Sequence, residues 1–583
     1  MRVDTALAGR EKEWTFVGRR SWREKAGVLY PPVYCNPLFD RGEQMPPEYY
    51  CEYARLEYAY PTTEVFSDVD ARITFEQRYA YKKSCGIVLR AVDSVRFYAV
   101  EAVDMGRKGH DYRVSLILHD GRGYLTEIAC GYAPHSVQAD AVIHGRITDR
   151  RMWEASSPDP ATLRVVTEGP KIKVLMDGKE LFTAEDSTFR AGASGIFAMG
   201  PVRILDYHLD GRPAGAEVEP WRIINEQRLF FYPVPDNAVE GYHGFPVLTR
   251  STKGEIILTF FQGKAGPPGS AAGVRGNTVG VAFTTSADDG RTWSSPKIAY
   301  RKEGYSAHGG YCIYPHEDGR WTLLMCGLER VADEQHSPEG RIVGLESTDR
   351  GETWSEPREM ILGGKAASSY EKRLRPYSPI FRLSDSTLIQ SWYWYSGSDE
   401  ERRARSFVIR SPDDGRTWSA PIFIDNTEFD TNECAIAEVE PGHLVAFMRT
   451  LRARNMWRSE SRDYGQTWTA LVQSTLSATC PLLMARGGAL VLAARNGGGN
   501  MVTISFDSGH TWTKPRIILV GGMGSMIGLS DGRFLLAAVT WWGNPARIRA
   551  HVFRLTAYGP EPALEGYENL RYSSDLDLLW RDY

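Results

Sequence analysis

One phrase recurs five times in the second half of this chain. It reads SADDGRTW at 286–293, STDRGETW at 347–354, SPDDGRTW at 411–418, SRDYGQTW at 461–468 and SFDSGHTW at 505–512. Ser, Asp, Gly, Thr and Trp keep their places in every copy. The local chemistry is that of a turn. The Asp accepts backbone N–H bonds within it, the Gly takes a backbone angle other residues resist, and the Trp buries its ring beneath. The box serines (Ser286, Ser347, Ser411, Ser461 and Ser505) lie 44 to 64 residues apart. That period suits one blade of a propeller, a unit that cannot bury its apolar face alone and must pack on copies of itself.

A second repeat counts the blades. Residues 244–261, 309–327, 377–394, 432–450, 479–496 and 525–542 each read as an apolar strand, a Gly or Asp turn, and a second apolar strand. These are six hairpins against five boxes, and the sixth has no box after it. The sequence therefore predicts a six-bladed β-propeller over 221–557, with QRLFFYPV (227–234) lending a strand to the last sheet.

The chain of 583 residues is too long for one core. Ahead of the repeats, 71–79, 95–102, 112–121 and 171–182 alternate with period two, and Asp177-Gly178 reads as a hairpin turn. A β-sandwich (jelly roll) is expected over 45–210, after an irregular segment at 1–44. A Gly/Pro-rich linker follows at 211–220, and an acidic, aromatic tail closes the chain at 558–583. The fold class is all-β.

Composition excludes several functions. The net charge of −4 gives no electrostatic footprint for nucleic acid. No run of 18 apolar residues suggests a membrane helix, and MRVDTALAGREKEW lacks a signal core, so the chain is expected either in the cytoplasm or with a leader removed. The 8 Cys show no CxxC pair and are expected to be mostly buried free thiols. No motif calls for a metal, nucleotide or redox cofactor. The 16 Trp and 29 Tyr, with many glycine turns, suit sugar stacking. Oligomeric state is left open.

In a propeller the first strands converge on the axis, and their entry ends build a funnel on one face. The candidates there are His243, His308, Arg375, Tyr377 and Glu433. Near the ends of the second strands stand Trp394, Arg449, Arg495, Asn496 and Trp541. Glu433 suits a general base or nucleophile, because a carboxylate entering an apolar strand needs a partner or a task. His243, His308 and Tyr377 are candidates for proton transfer. Arg375, Arg449 and Arg495 suit an anionic sugar, with Asn496, Trp394 and Trp541 lining it. The structural alternatives are a Glu433–Arg449 pair that only supports the channel, histidines satisfied within strands, and rings that only pack blades. Asp430, Glu371, Glu329 and Glu240 are candidate second carboxylates.

The repeated phrase resembles the Asp box of the sialidase superfamily over about residues 221–557. The N-terminal region resembles the concanavalin-like modules often fused to sialidases. NECAIAEVEPGHLVAFMR (432–449) is similar to the family's Glu-bearing strand pair, which implies that Glu433 is the family's Glu and Arg449 its middle Arg. The family also carries two further arginines, a nucleophilic Tyr and an Asp acid. Here Gly244 stands where the first Arg belongs, no carboxylate precedes the first box, no Tyr stands near Met523, and Arg495 lies close to the third Arg position without matching it. The resemblance implies a glycoside hydrolase on an acidic or decorated glycan by a route that departs from sialidases. Two other readings remain: a lyase on uronic-acid polymers using His or Tyr with Arg, and a glycan-binding protein without turnover.

Overall fold

The structure is a computed structural model. It describes residues 2–5, 15–17, 23–25, 28–30, 57–60, 62, 64–77, 84–104, 111–121, 124–134, 160–199, 202–222, 228–234, 242–251, 253–263, 280–301, 305–307, 311–326, 328–330, 342–370, 373–396, 403–424, 430–450, 455–496, 499–518, 523–539, 548–567 and 571–573. The chain divides into two compact units, Met1–Arg228 with Tyr572–Arg581, and Leu229–Arg571 with Asp582–Tyr583.

The first unit is a β-sandwich. In one sheet the strands run in the order Lys179–Glu185, Lys171–Met176, Ala161–Glu168, Phe66–Gln77, Val202–Pro213, Val28–Tyr30 and Arg23–Lys25, and Arg2–Thr5 also pairs with Val202–Pro213. The other sheet orders Thr15–Val17, Glu57–Tyr60, Ala193–Met199, Ser84–Ala91, Arg96–Asp104, Asp111–Asp120 and Tyr124–Pro134. Alternate side chains of both sheets, among them Ile73, Phe75, Val165, Val100 and Leu116, meet in one core. Asp177 and Gly178 both take positive φ, as a two-residue hairpin turn requires. Residues 1–44 contribute four short strands rather than an irregular segment, and the expected linker begins inside Val202–Pro213. Those N-terminal strands are three or four residues long, too short for any period to show in sequence.

The second unit is the propeller. Among the described residues it holds six antiparallel sheets of at least four strands, numbered in chain order, and short two-stranded sheets between them. Sheet one is Tyr242–Arg250, Ile256–Gly263, Gly280–Ser286 and Lys297–Tyr300. Sheet two is Tyr311–Pro315, Trp321–Cys326, Ile342–Ser347 and Arg358–Glu359. In sheet three, Arg373–Pro376 and Phe381–Arg382 share the first position, before Leu388–Ser396, Arg403–Ser411 and Ile422–Phe423. Sheet four is Thr431–Glu440, His443–Thr450, Trp457–Ser461 and Val472–Gln473. Sheet five holds Thr479–Arg486, Ala489–Asn496, Gly499–Ser505 and Arg516–Ile518. Sheet six holds Gly524–Gly528, Phe534–Val539, Ile548–Thr556 and Gly559–Pro562. The last of these strands comes from the expected tail. Phe231 pairs with Ala550 of the sixth sheet through an isolated antiparallel bridge, and Arg549 Nε donates to the Tyr232 hydroxyl at 3.4 Å.

Each box is a closed hydrogen-bond circuit. In the first, the Gly290 N–H donates to Ser286 Oγ at 2.7 Å, the Thr292 N–H to Asp288 Oδ1 at 2.9 Å, and Trp293 Nε1 to the Gly290 carbonyl at 2.9 Å. The other four boxes repeat the Ser–Gly and Asp–Thr bonds. The glycine also lets the turn approach the preceding sheet. A Cβ on Gly351 would lie 2.6 Å from Phe283, one on Gly415 2.6 Å from His316, and one on Gly465 2.9 Å from Ile389.

The same contacts close the ring. Gly290 faces Leu535 of sheet six, and one apolar cluster joins Leu248, Leu258 and Ala282 of sheet one to Leu535, Ala537 and Ala550 of sheet six. The Leu248 N–H donates to Ser525 Oγ at 2.9 Å across the same seam. Strand register then separates the two faces. Ser286 pairs with Ile256, and Ile256 with Arg250, so the boxes sit at the exit end of each first strand. Entry ends, where Glu433 lies, are on the opposite face.

Candidate functional site

Sheets three, four and five bring their entry ends together around Glu433. It sits in a bulge of Thr431–Glu440, where the register shifts between Asn432 and Cys434, and its φ is +44°. Cys480, at the entry of sheet five, repeats the device. Its φ is +54°, within a register shift between Thr479 and Leu482. Phe245 in sheet one has φ +49° within a third such bulge. A bulge re-aims one side chain out of the strand's alternation, and a non-glycine residue in this region stores strain that its surroundings must hold.

Both Glu433 oxygens are engaged. Arg449 Nη1 donates to Oε1 at 2.8 Å, and the Cys480 backbone N–H donates to Oε2 at 3.2 Å. Burial alone would raise the Glu433 pKa. The Arg449 guanidinium, a hydrogen bond from the Cys480 side chain and the charge of Arg495 outweigh it and hold the carboxyl below its ordinary range. Glu433 is therefore an anion at neutral pH, although only 8% of its surface is exposed.

Tyr377 is shifted the other way. Burial raises its phenol well above the ordinary value, and the charges of Cys480 and Glu433 add to the effect. Its hydroxyl donates to the Pro481 carbonyl at 2.9 Å. The Cys480–Pro481 segment thus gives an N–H to Glu433 and a C=O to Tyr377. The Cys480 thiol is pushed up to about 12, by burial first and then by Glu433, so it stays protonated and is no nucleophile.

Strand register gives the positions of the three candidate arginines. Arg449 lies opposite Asn432 and Arg495 opposite Thr479, so each side chain shares a face with the entry residue of its own sheet. Arg375 lies opposite Tyr393, whose ring centroid is 6.4 Å from that of Tyr377. Trp394 packs edge-on against Phe423 at 6.4 Å, within the cluster shared by sheets two and three. His243 and Asn496 lie on strands of sheets one and five, and their side chains are outside the described residues, as are His308 and Trp541 entirely.

Of the candidate second carboxylates, Asp430 is buried and accepts the Ala404 N–H at 2.8 Å, which ties it to sheet three. Glu371 and Glu240 lie outside the described residues, as does the Glu329 side chain. Sequence reasoning gave no role to the Asn432 side-chain carbonyl oxygen, which is buried beside Glu433 with no hydrogen-bond partner among the described residues. Nor did it see the double use of the Cys480–Pro481 peptide, since no side-chain pattern marks a backbone donor. Among the described residues no group of three or more His, Cys, Asp or Glu could hold a metal ion.

Residues 279–518, from the third strand of sheet one to the last strand of sheet five, match the model of the BNR repeat-like domain. Glu433, Arg449, Cys480 and Arg495 all fall inside the matched BNR segment. A curated sialidase of Bacteroides fragilis (strain YCH46) is 28% identical over 279 residues, 42% of this chain. The chain spans about half the length of that relative (49%). Among solved structures, a Hadza microbial sialidase aligns with TM-score 0.45 at 14% identity, covering 91% of this chain and 99% of its own. The NanB sialidase of Streptococcus pneumoniae aligns with TM-score 0.44 at 13% identity, covering 84% and 95%.

Proposed function

We propose that the BNR propeller is a glycoside hydrolase that cleaves an anionic sugar from a glycan at the mouth of the ring. The observation that carries this reading is the pairing of an ionised Glu433 with a neutral Tyr377, both held by one peptide segment. Two titratable groups whose environments push their pKa values apart are suited to opposite halves of an acid–base reaction. Glu433 takes a proton from water or bonds the anomeric carbon. Tyr377 is the proton-bearing partner, and its hydroxyl turns from the Pro481 carbonyl to the leaving oxygen when substrate is bound. The substrate's charge follows from the guanidinium groups, because the charges of Arg449 and Arg495 both act on the single carboxylate at this point. A carboxylate or sulfate on the sugar fits the remaining positive charge, and an arginine fork suits its geometry.

The test is turnover of acidic polysaccharides and acidic aryl glycosides by the full chain, with products analysed by mass. Glu433→Gln is expected to lower kcat by about 10²- to 10⁴-fold with little change in KM, as loss of a general base does. Products that carry one added water support hydrolysis. An unsaturated, ultraviolet-absorbing product would mean elimination from a uronate instead. Full activity in Glu433→Gln would sink both.

A further inference from the structure

On the box face, sheet six breaks the pattern of the other five. Its third strand, Ile548–Thr556, ends where the others begin a box, but the chain turns at once, with Thr556 Oγ1 bonded to the Gly559 carbonyl, and starts its fourth strand. In sheets two to five the box fills the groove against the preceding sheet. Here that groove is left open between the turns of sheets five and six, as a cavity of about 560 Å³. Its lining carries three guanidinium groups, Arg486, Arg533 and Arg554, and two carboxylates, Asp531 and Glu565.

The carboxylates are already committed. Asp531 is gripped by Arg533 through Nε at 2.9 Å and Nη2 at 2.6 Å. Glu565 lies 3.4 Å from Arg554 and 3.8 Å from Arg533. Arg486 has no carboxylate among the described residues. One of its nitrogens donates to the Leu529 carbonyl, and the close approach that fixes it there depends on Gly528, where a Cβ would lie 2.5 Å from Arg486 Nη1. This leaves a positioned guanidinium with spare N–H groups at the cavity wall, beside the half-exposed Arg554. Phe534 and Leu555 add apolar atoms to the lining.

We propose that this groove is a second, non-catalytic binding site, in which Arg486 and Arg554 hold the oxyanion of an acidic sugar unit. Guanidinium forks match the oxygens of a sulfate or a carboxylate. The identity of the carrier as a glycan rests on the hydrolase reading. The anion site does not, and its failure would be separable.

The experiment is calorimetric titration of the full chain, at constant ionic strength, with sodium sulfate, methyl glucuronide and uncharged methyl glucoside. Saturable binding of the two anions and none of the glucoside is expected. Arg486→Gln and Arg554→Ala should each weaken anion binding at least several-fold. Glu433→Gln should leave unchanged the part of the anion binding that the groove variants remove, and both arginine variants should keep wild-type turnover of small substrates. Arg554→Ala alters a half-exposed side chain and keeps the test valid if Arg486→Gln unfolds. Sulfate binding without glucuronide binding would keep the oxyanion site and remove the sugar. No saturable anion binding, or binding lost with Arg449→Ala but kept in both groove variants, would overturn the proposal.

Discussion

At the scale of single residues, the site depends on backbone strain as much as on side chains. Cys480 holds φ +54° and gives its N–H to Glu433. A β-branched residue is poorly tolerated there and costs about 1–3 kcal/mol. Cys480→Val is therefore expected to flatten the bulge and withdraw the N–H. Glu433 would lose one of the interactions that hold its pKa down, so the acid limb of the kcat/KM profile should move to higher pH. Cys480→Gly keeps the N–H and relieves the strain but, like the valine variant, lacks the thiol that also bonds Glu433, so its acid limb should move less than that of Cys480→Val. The sign is fixed by the direction of the shift: a depressed carboxyl is active down to a lower pH, and each lost donor shortens that range from the acid side. Equal pH profiles for the valine and glycine variants would show that the Cys480 N–H does not tune Glu433. The Glu433–Arg449 contact was legible in sequence because both residues belong to one hairpin. The Tyr377–Pro481 bond joins residues 104 apart on different sheets, and no local pattern announces it.

At the scale of elements, the box is a staple between sheets and not a catalytic motif. Its turn chemistry was legible because Ser, Asp, Gly and Thr bond within eight residues. Its second role was not, since the glycine's contact lies on a sheet distant in sequence. Two glycines of sheet two separate these roles. Gly319 has φ +87° and open space where a Cβ would stand, with nothing within 4 Å, whereas Gly351 has φ +84° with Phe283 at 2.6 Å. Gly319→Ala should cost about 1–2 kcal/mol from the left-handed backbone alone. Gly351→Ala adds a clash in a packed interface, worth about another 1–3 kcal/mol. Denaturant unfolding measures the difference, and equal losses would mean that the boxes do not fasten neighbouring sheets. The fourth strands escaped sequence reading for a simpler reason. Several are two residues long, as at Arg358–Glu359 and Val472–Gln473, and carry no alternation.

At the scale of the whole propeller, the number of sheets was legible from six hairpins, whereas the manner of closure was not. The seam between the first and sixth sheets is held by Asp289, the box residue next to Gly290. Its Oδ1 accepts Arg250 Nη2 at 2.9 Å, its Oδ2 accepts the Ser530 N–H at 3.0 Å, and its carbonyl accepts the Tyr567 hydroxyl at 2.8 Å. Arg250 also reaches the Gly528 carbonyl at 2.8 Å, so one guanidinium ties both sheets. Burial would raise the Asp289 pKa, but the bonds from Ser530 and Arg250 outweigh it and leave the carboxyl depressed. A depressed carboxyl contributes stability that is present above its unfolded pKa and is lost as pH falls through the folded value. Asp289→Asn keeps the side-chain shape but removes the charge and turns one acceptor into a donor facing Ser530 or Arg250. It should lower stability near neutrality by about 1–3 kcal/mol, the cost of leaving such a group unsatisfied. The gap between wild type and variant should stay constant down to about pH 5 and then narrow as pH falls below the ordinary carboxylate value of about 3.9 toward the depressed folded value. Unfolding followed by calorimetry across that range gives the answer. A gap that stays constant with pH would mean that the charge of Asp289 does not fasten the ring, and that the apolar cluster of Leu248, Leu258, Leu535 and Ala550 closes it alone.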